Sequence, residues 1–307
     1  MQLSGQRILV TGGAGFVGSH LAAHLVDSND VVVADDLSNG HREWVPDAAT
    51  FIDADLTRPD DVADVLTSDV DLVVHAAADK DASRDDVDQF RYNNTITENV
   101  LERMDATGVD SLAFTSSSVV YGEAPMPTPE DYGPLEPISI YGAGKLAEEG
   151  LISVYAHSHD IQAWVFRFAN VVGPRLRGAV VPDFIEKLRA DPESLTILGD
   201  GRQEKSYLHV TDCVDAIEHV VENADEQLNV YNLGTRSTTS VDDIAAIVAD
   251  AMDLDPAFEY TGGDRGWTGD VPKMRLGIEK LADTGWTPTM ESDEAIERST
   301  NELLDEL

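Results

Sequence analysis

Through its first half the chain alternates short apolar runs with stretches whose apolar residues recur at helical spacing. Ile8–Thr11, Val31–Asp35, Phe51–Asp53, Leu72–His75, Leu112–Ser116 and Val165–Phe168 predict six strands. The stretches near Gly15–Asp27, Asp60–Thr67, Asp86–Thr107 and Tyr141–His157 predict helices between them. Strands joined by helical crossovers predict an α/β fold with a parallel sheet wound on both faces. Ligands on such a sheet bind beyond the carboxyl ends of its strands. Thr11, Asp35, Asp53, His75 and Ser117 all stand at or just past such ends, so several reactive side chains are expected along one edge.

The Pro-rich stretch Ala124–Pro137 reads as a loop between the fifth strand and the Tyr141 helix, and after Pro174 the pattern becomes irregular. A first domain over residues 1–173 is expected, with a smaller lobe over 174–307. The chain is expected to return to the first domain near 206–236, through Val210–Val221 and Val230–Gly234.

Apolar residues make up 42% of 307 positions, enough for a sizeable core and against wholesale disorder. Charge changes the picture more. Fifty-eight acidic residues stand against 21 basic ones, a formal net of -37 spread along the whole length. Such a surface resembles those of halophilic, salt-accumulating archaeal cytoplasms, where counterions screen self-repulsion. It disfavours nucleic acid as a partner, because a phosphate backbone needs a basic stripe. Cys213 is the only cysteine, so no intrachain disulfide or cysteine-rich metal site is expected. The first strand begins almost at the N-terminus and no apolar stretch is long enough to span a bilayer. A soluble, cytoplasmic protein without a membrane partner or a metal is expected.

The turn Gly12-x-x-Gly15-x-x-Gly18 lies between the first strand and the first helix. There, backbone N–H groups and a helix N-terminus can cradle a pyrophosphate. Asp35 follows 20 positions after Gly15, at the end of the second strand, where a carboxylate accepts from ribose hydroxyls and repels a 2′-phosphate. The pair favours NAD over NADP. Tyr141 and Lys145, four apart on a helix, share a face, and an ammonium there is expected to lower the phenol's pKa. Ser117, at the end of the fifth strand, can hydrogen-bond a reacting hydroxyl. A dinucleotide site beside a positioned acid/base points to hydride chemistry.

These motifs resemble the extended short-chain dehydrogenase/reductase family, and within it the NAD-dependent nucleotide-sugar epimerases and dehydratases. The resemblance runs through Thr11–His20, Asp35–Gly40, Asp55-Leu56, His75–Ala78, Asn93-Asn94, Thr115–Gly122, Tyr141–Lys145, Arg167–Pro174, Ser206–Asp212, Tyr231–Thr235 and Gly263–Pro272. It implies that Gly12, Gly15, Phe16, Val17, Gly18, Asp35, Asp36, Leu37, Ser38, Asn39, Gly40, Asp55, Leu56, Ala76, Ala77, Ala78 and Asn94 surround NAD. Lys80 falls where a family lysine approaches the cofactor. Ser117, Tyr141 and Lys145 match the catalytic set, all three also near NAD. Asn170, Lys205 and Arg265 match residues that hold a nucleotide-sugar pyrophosphate, and Met274 a residue lining the sugar pocket. Arg265 is spaced differently from Gly269-Asp270 than in the best-known bacterial pattern, and Lys205 stands where many relatives have arginine.

Val119 narrows the reaction. In the family, sugar 4,6-dehydratases carry Asp-Glu where this chain has Ser118-Val119, and UDP-glucuronate decarboxylases carry Glu at the Val119 position. Epimerase/reductases acting on GDP-deoxysugars place a cysteine there. Val119 transfers no proton, which leaves oxidation and reduction at C4. The resemblance therefore implies a UDP-glucose/UDP-galactose 4-epimerase with tightly bound NAD, and a homodimer formed through the helices near 86–107 and 141–157. The alternatives are an NAD-dependent dehydrogenase or epimerase for another nucleotide sugar, N-acetylated or uronic, and a silent dinucleotide sensor on the same fold. Ile96, Val100, Leu101 and Met104 can serve either a dimer interface or the core.

Overall fold

The computed structural model describes residues 1–81, 84 and 86–307. β1 (Arg7–Thr11), α1 (Phe16–Leu25), β2 (Asp30–Asp35), β3 (Thr50–Asp53), α2 (Pro59–Val65), β4 (Leu72–His75), α3 (Val87–Thr107), β5 (Ser111–Ser117), α4 (Ile140–Ser158) and β6 (Gln162–Phe168) follow in the order predicted from the hydrophobic pattern. Then come β7 (Asn170–Val172), α5 (Val180–Ala190), β8 (Ser194–Ile197), β9 (Glu204–Lys205), β10 (Tyr207–His209), α6 (Val210–Asn223) and β11 (Leu228–Leu233). The chain ends through β12 (Thr239–Ser240), α7 (Val241–Ala251), β13 (Ala257–Tyr260), β14 (Lys273–Met274), α8 (Glu279–Asp283) and α9 (Ser292–Glu306).

Seven strands form one sheet in the order β11-β6-β5-β4-β1-β2-β3, and every pairing in it is parallel. This is a doubly wound α/β sheet of the Rossmann kind. β11 returns to pair with β6, Leu228 opposite Ala163 and Leu233 opposite Phe168. β6 starts three residues earlier than its apolar run suggests, because Gln162–Trp164 are drawn into the ladder with Ser111–Ala113.

Side-chain alternation sets the layers. Ile8, Val10, Val31 and Val33 enter one core with Leu21 and Leu25 of α1 and Ile217 and Val221 of α6. Leu9, Val32 and Val73 enter the opposite core, with Val62 and Val65 of α2 and Ile152 of α4. Ile96, Val100, Leu101 and Met104 of α3 belong to that second core, each 2% exposed or less. Packing against the sheet, rather than a partner chain, uses these four positions. A third cluster gathers Phe184 and Ile185 of α5, Ile244 and Val248 of α7, and Ile296 and Leu303 of α9.

Side-chain caps set the starts of the two long helices. Asp86 caps α3 by accepting from Gln89 N, and Ser139 Oγ caps α4 by accepting from Gly142 N at 3.0 Å. The second cap fixes Tyr141 in the opening turn of α4.

Candidate active site

The topological switch of the sheet lies at β1, where Thr11 pairs with Ala34 on one side and His75 on the other. The glycine turn opens there. Gly12 stands at φ +65°, and a Cβ on it would lie 2.6 Å from the Ala77 backbone nitrogen. Residue 12 can therefore only be glycine if the turn and the segment after β4 are to meet. α1 starts from Gly15 with no side-chain cap, and its first turn holds no acidic residue. In so acidic a chain, that bare helix start leaves its N–H groups for an anion.

Asp35 closes the same corner. Its carboxylate accepts from Ala14 N at 2.9 Å and Leu37 N at 2.8 Å. Burial raises its pKa above the usual carboxylate value, and these two donors pull it back. Each oxygen keeps a lone pair for a ribose hydroxyl. Leu37 adopts φ 57°, an uncommon left-handed conformation for leucine, held by that bond. Asp36 accepts from Ser38 N at 2.9 Å and from the Tyr92 hydroxyl at 3.2 Å, and His41 N donates to Ala14 O. The Asp35–Gly40 run is thereby latched to the glycine turn carrying Phe16, Val17 and Gly18. Asp55 bonds its own Thr57, and Leu56 O accepts from Asn99. Ala76 N donates to Thr11 O, and Ala77 and Ala78 continue past β4, half-exposed. Asn94 Nδ2 donates to Phe90 O, and Lys80 Nζ to Arg177 O at 3.3 Å.

Ser117 ends β5, its Oγ accepting from Val119 N at 3.4 Å in a short 3-10 turn over Ser118–Tyr121. The opening of α4 lies on that turn. A Cβ on Gly142 would sit 2.9 Å from Val119 O, so glycine lets the helix bring Tyr141 close. Lys145 Nζ lies 4.5 Å from the Phe114 ring centroid of β5 and 6.0 Å from that of Tyr141. Ser117, Tyr141 and Lys145 thus gather where α4 meets the end of β5, on the same edge of strand ends that carries Thr11 and Asp35.

Tyr141 departs from the expected ionisation. Lys145 does pull its phenol down, but burial outweighs that pull and the pKa is raised, with Glu148 and Asp79 adding to the rise. Lys145 itself is 1% exposed; burial works against its charge, yet Glu148, Tyr141 and Glu149 outweigh burial and raise its pKa. Helical spacing of Tyr141 and Lys145 accounts for the ammonium but not for its counter-charge. The signal was available: Glu148 follows Lys145 by three residues, on the same helical face.

In the second half of the chain, Asn170 stands opposite Tyr207 in the parallel β7–β10 pair. Lys205 Nζ is 2.6 Å from Asp270 Oδ1 and lies 4.9 Å from the Trp267 ring centroid. Arg265 donates to Asp270 O and to the Glu123 carboxylate. Both cations are therefore held by local acids within one cluster. Met274, paired with Lys205 in register, is 8% exposed among Val120, Tyr121, Ala169, Val271 and Leu276.

Residues 8–234 match the family described as NAD dependent epimerase/dehydratase. The chain belongs to that family. A protein of Methanocaldococcus jannaschii provisionally described as a UDP-glucose 4-epimerase is 32% identical over 304 residues, spanning 96% of this chain and 97% of its own. UDP-glucuronic acid decarboxylase 3 of Arabidopsis thaliana is 32% identical over 310 residues, spanning 94% and 86%. The crystal structure of a UDP-galactose 4-epimerase matches with a TM-score of 0.90 at 42% identity, covering 98% of this chain and 99% of that one. The family's cofactor is NAD, and the bare start of α1 with the anchored Asp35 carboxylate fits it. The epimerase/dehydratase relatives differ in sugar and in reaction. Among the described residues no helix is long and apolar enough to cross a membrane.

Proposed function

We propose that this epimerase/dehydratase family member is a UDP-sugar 4-epimerase that interconverts UDP-glucose and UDP-galactose through a transient 4-keto sugar. The observation that carries the reading is the meeting of α4 with the end of β5. Tyr141 and Lys145 lie there beside Ser117, and the adjoining Val119 offers neither acid nor base.

When bound, NAD supplies a reversible hydride acceptor for C4. Tyr141, as phenolate, takes the C4 hydroxyl proton while the sugar is oxidised. Ser117 holds the C4 oxygen in line, and Lys145 keeps its ammonium beside the phenolate until it has taken that proton. The 4-keto sugar then turns about its bonds to the pyrophosphate and presents its other face. Asn170, Lys205 and Arg265 keep the nucleotide anchored, Lys205 and Arg265 exchanging Asp270 and Glu123 for phosphate oxygens. Tyr141 returns its proton to the C4 oxygen as the ketone is reduced with inverted configuration. Nothing is consumed, so NAD stays tightly bound.

In this proposal residues 1–173, with the return over 206–236, hold NAD, and residues 174–307 supply the nucleotide-sugar side. The protein works in the cytoplasm as a homodimer. Because the apolar positions of α3 are used in the core, the partner meets the outer faces of α3 and α4, where Val154 is 53% exposed.

A second reading, action on a uronic or N-acetylated UDP-sugar, is supported by the likeness to a glucuronic acid decarboxylase and by the flexible Met274. One experiment separates them. Purified protein in molar KCl receives UDP-galactose without added NAD, and the sugar is followed by NMR. Formation of UDP-glucose to a stable ratio supports the proposal. Conversion only of UDP-N-acetylglucosamine or UDP-glucuronic acid moves the assignment to the second reading, and no conversion of any of them refutes both.

A further inference from the structure

We infer that Glu148 is a positioning residue of this site, a buried counter-charge that holds the Lys145 ammonium and so sets the pH at which Tyr141 ionises. Its catalytic meaning rests on the epimerase reading above; its physical basis does not.

Glu148 is fully buried, and its Oε2 lies 3.1 Å from Lys145 Nζ. The same oxygen accepts from Thr97 Oγ1 at 3.0 Å. Thr97 in turn meets His75 Nε2 at 3.1 Å, and His75 Nδ1 meets Thr11 Oγ1 at 2.7 Å. Ala77 N donates to Thr11 Oγ1 at 3.4 Å. Only one direction of donation satisfies every link. Thr97 gives its single proton to the carboxylate, so His75 must donate from Nε2 and accept at Nδ1 from Thr11. That tautomer is assigned from the network. The chain of donors runs from the glycine turn and the segment after β4, across the sheet edge, and ends on Glu148.

A buried ion pair is a poor stabiliser, since desolvation offsets most of its attraction. Here the pair is also unevenly satisfied. Two donors converge on Oε2, while Oε1 is buried without a partner among the described residues. For stability alone, both members of the pair could be replaced by apolar side chains, whereas removing Glu148 by itself leaves Lys145 buried and unpaired. Opposite Lys145, Glu148 does something an apolar residue cannot. It offsets the ammonium's field at the phenol, keeping Tyr141 protonated further up the pH scale, and it fixes Nζ between Phe114 and Tyr141.

The other acids facing the pair have partners of their own. Glu149, also on α4, is engaged by Arg167, and Asp79, from the segment after β4, by Arg84. His75, at the end of β4, is buried and neutral, its pKa lowered to about 3. Glu148 is the carboxylate in hydrogen-bond contact with Lys145 Nζ.

The test is Glu148→Gln, with Glu148→Asp as second variant, each compared with its own Tyr141→Phe partner. Ionisation of Tyr141 is followed by phenolate absorbance without substrate, and the acid limb of kcat is followed with UDP-galactose. With Tyr141 and Glu149 still favouring the Lys145 ammonium, Glu148→Gln is expected to move the phenolate midpoint and the acid limb down together by about one pH unit, with KM little changed. Glu148→Asp, whose shorter side chain draws the charge back from Nζ, moves both the same way by less. An unmoved or upward-shifted midpoint in either folded variant overturns the inference. A downward shift in a protein that epimerises no UDP-sugar leaves the inference standing and refutes the proposed function instead.

Discussion

Arg167 grips Glu149 with two nitrogens, Nε 3.0 Å from Oε1 and Nη2 2.7 Å from Oε2, in a pair that is 6% and 9% exposed. Ser116 Oγ reaches the same carboxylate at 2.5 Å, and Arg167 Nη1 donates to the Tyr121 hydroxyl at 2.8 Å. The bidentate contact therefore ties β6 to α4, and Ser116, next to Ser117 at the end of β5, joins the same carboxylate. Arg167→Met, which leaves Glu149 buried and unpaired, is expected to destabilise the fold by about 3–5 kcal/mol. Arg167→Met combined with Glu149→Leu should recover most of that loss. Urea unfolding of both variants checks the pair; equal destabilisation in the double variant would contradict it.

Tyr141→Phe should keep the fold and the cofactor while kcat falls by about 10²–10⁴-fold, the usual worth of a positioned proton-transfer group. Retained NAD absorbance in the purified variant separates lost chemistry from lost cofactor. Near-normal turnover would remove Tyr141 from the mechanism.

Gly142→Ala probes placement without touching the chemistry. The new methyl group would meet Val119 O at 2.9 Å and Pro137 Cβ at 3.0 Å, so the opening turn of α4 must retreat from Ser117. A shift of that kind is expected to lower kcat by about 10–100-fold. The thermal midpoint, measured alongside, should move by only a few degrees.

His75 gives a pH signature to stability. Its folded pKa of about 3 lies below the ordinary histidine value of 6.5, chiefly because burial opposes its charge. Between those values the unfolded chain binds a proton that the folded one does not, so stability falls as pH drops below about 6.5. From pH 7 to pH 5 this one group should cost about 2 kcal/mol. His75→Gln, less stable at pH 7 through its broken links to Thr11 and Thr97, should lack that increment. Denaturant unfolding at both pH values tests it, with the wild-type minus variant difference as the readout.

The formal charge of -37 predicts a salt response. Raising KCl from about 10 mM to about 1 M shortens the Debye length from about 30 Å to about 3 Å and relieves self-repulsion. The thermal midpoint should rise by several degrees or more over that range. A midpoint independent of KCl would count against an acidic surface adapted to salt.

Much of the sheet and one side of the site were readable along the chain, because their signals are local. Short continuous apolar runs such as Ile8–Val10 mark strands buried on both faces, the glycine spacing marks a strand-turn-helix, and Tyr141 with Lys145 share a face by helical spacing alone. What these residues meet was not readable. Apolar α3 positions look the same whether they cover a sheet or a partner, and only packing showed Ile96, Val100, Leu101 and Met104 in the core. Asp86 and Ser139 set the helix starts within a residue of the expected ones, since caps too are local.

By itself the sequence determined the parallel α/β sheet, the glycine turn between its first strand and helix, and the shared helical face of Tyr141 and Lys145. The tertiary structure alone decided the electrostatic balance around that pair. Glu148 meets Lys145 within one turn of helix, but Thr97, His75 and Thr11 reach it across 51, 73 and 137 positions of chain. Burial, which raises the Tyr141 pKa against the pull of Lys145, exists only once the layers close. Periodicity is written residue by residue, whereas desolvation and charge pairing are properties of the packed neighbourhood.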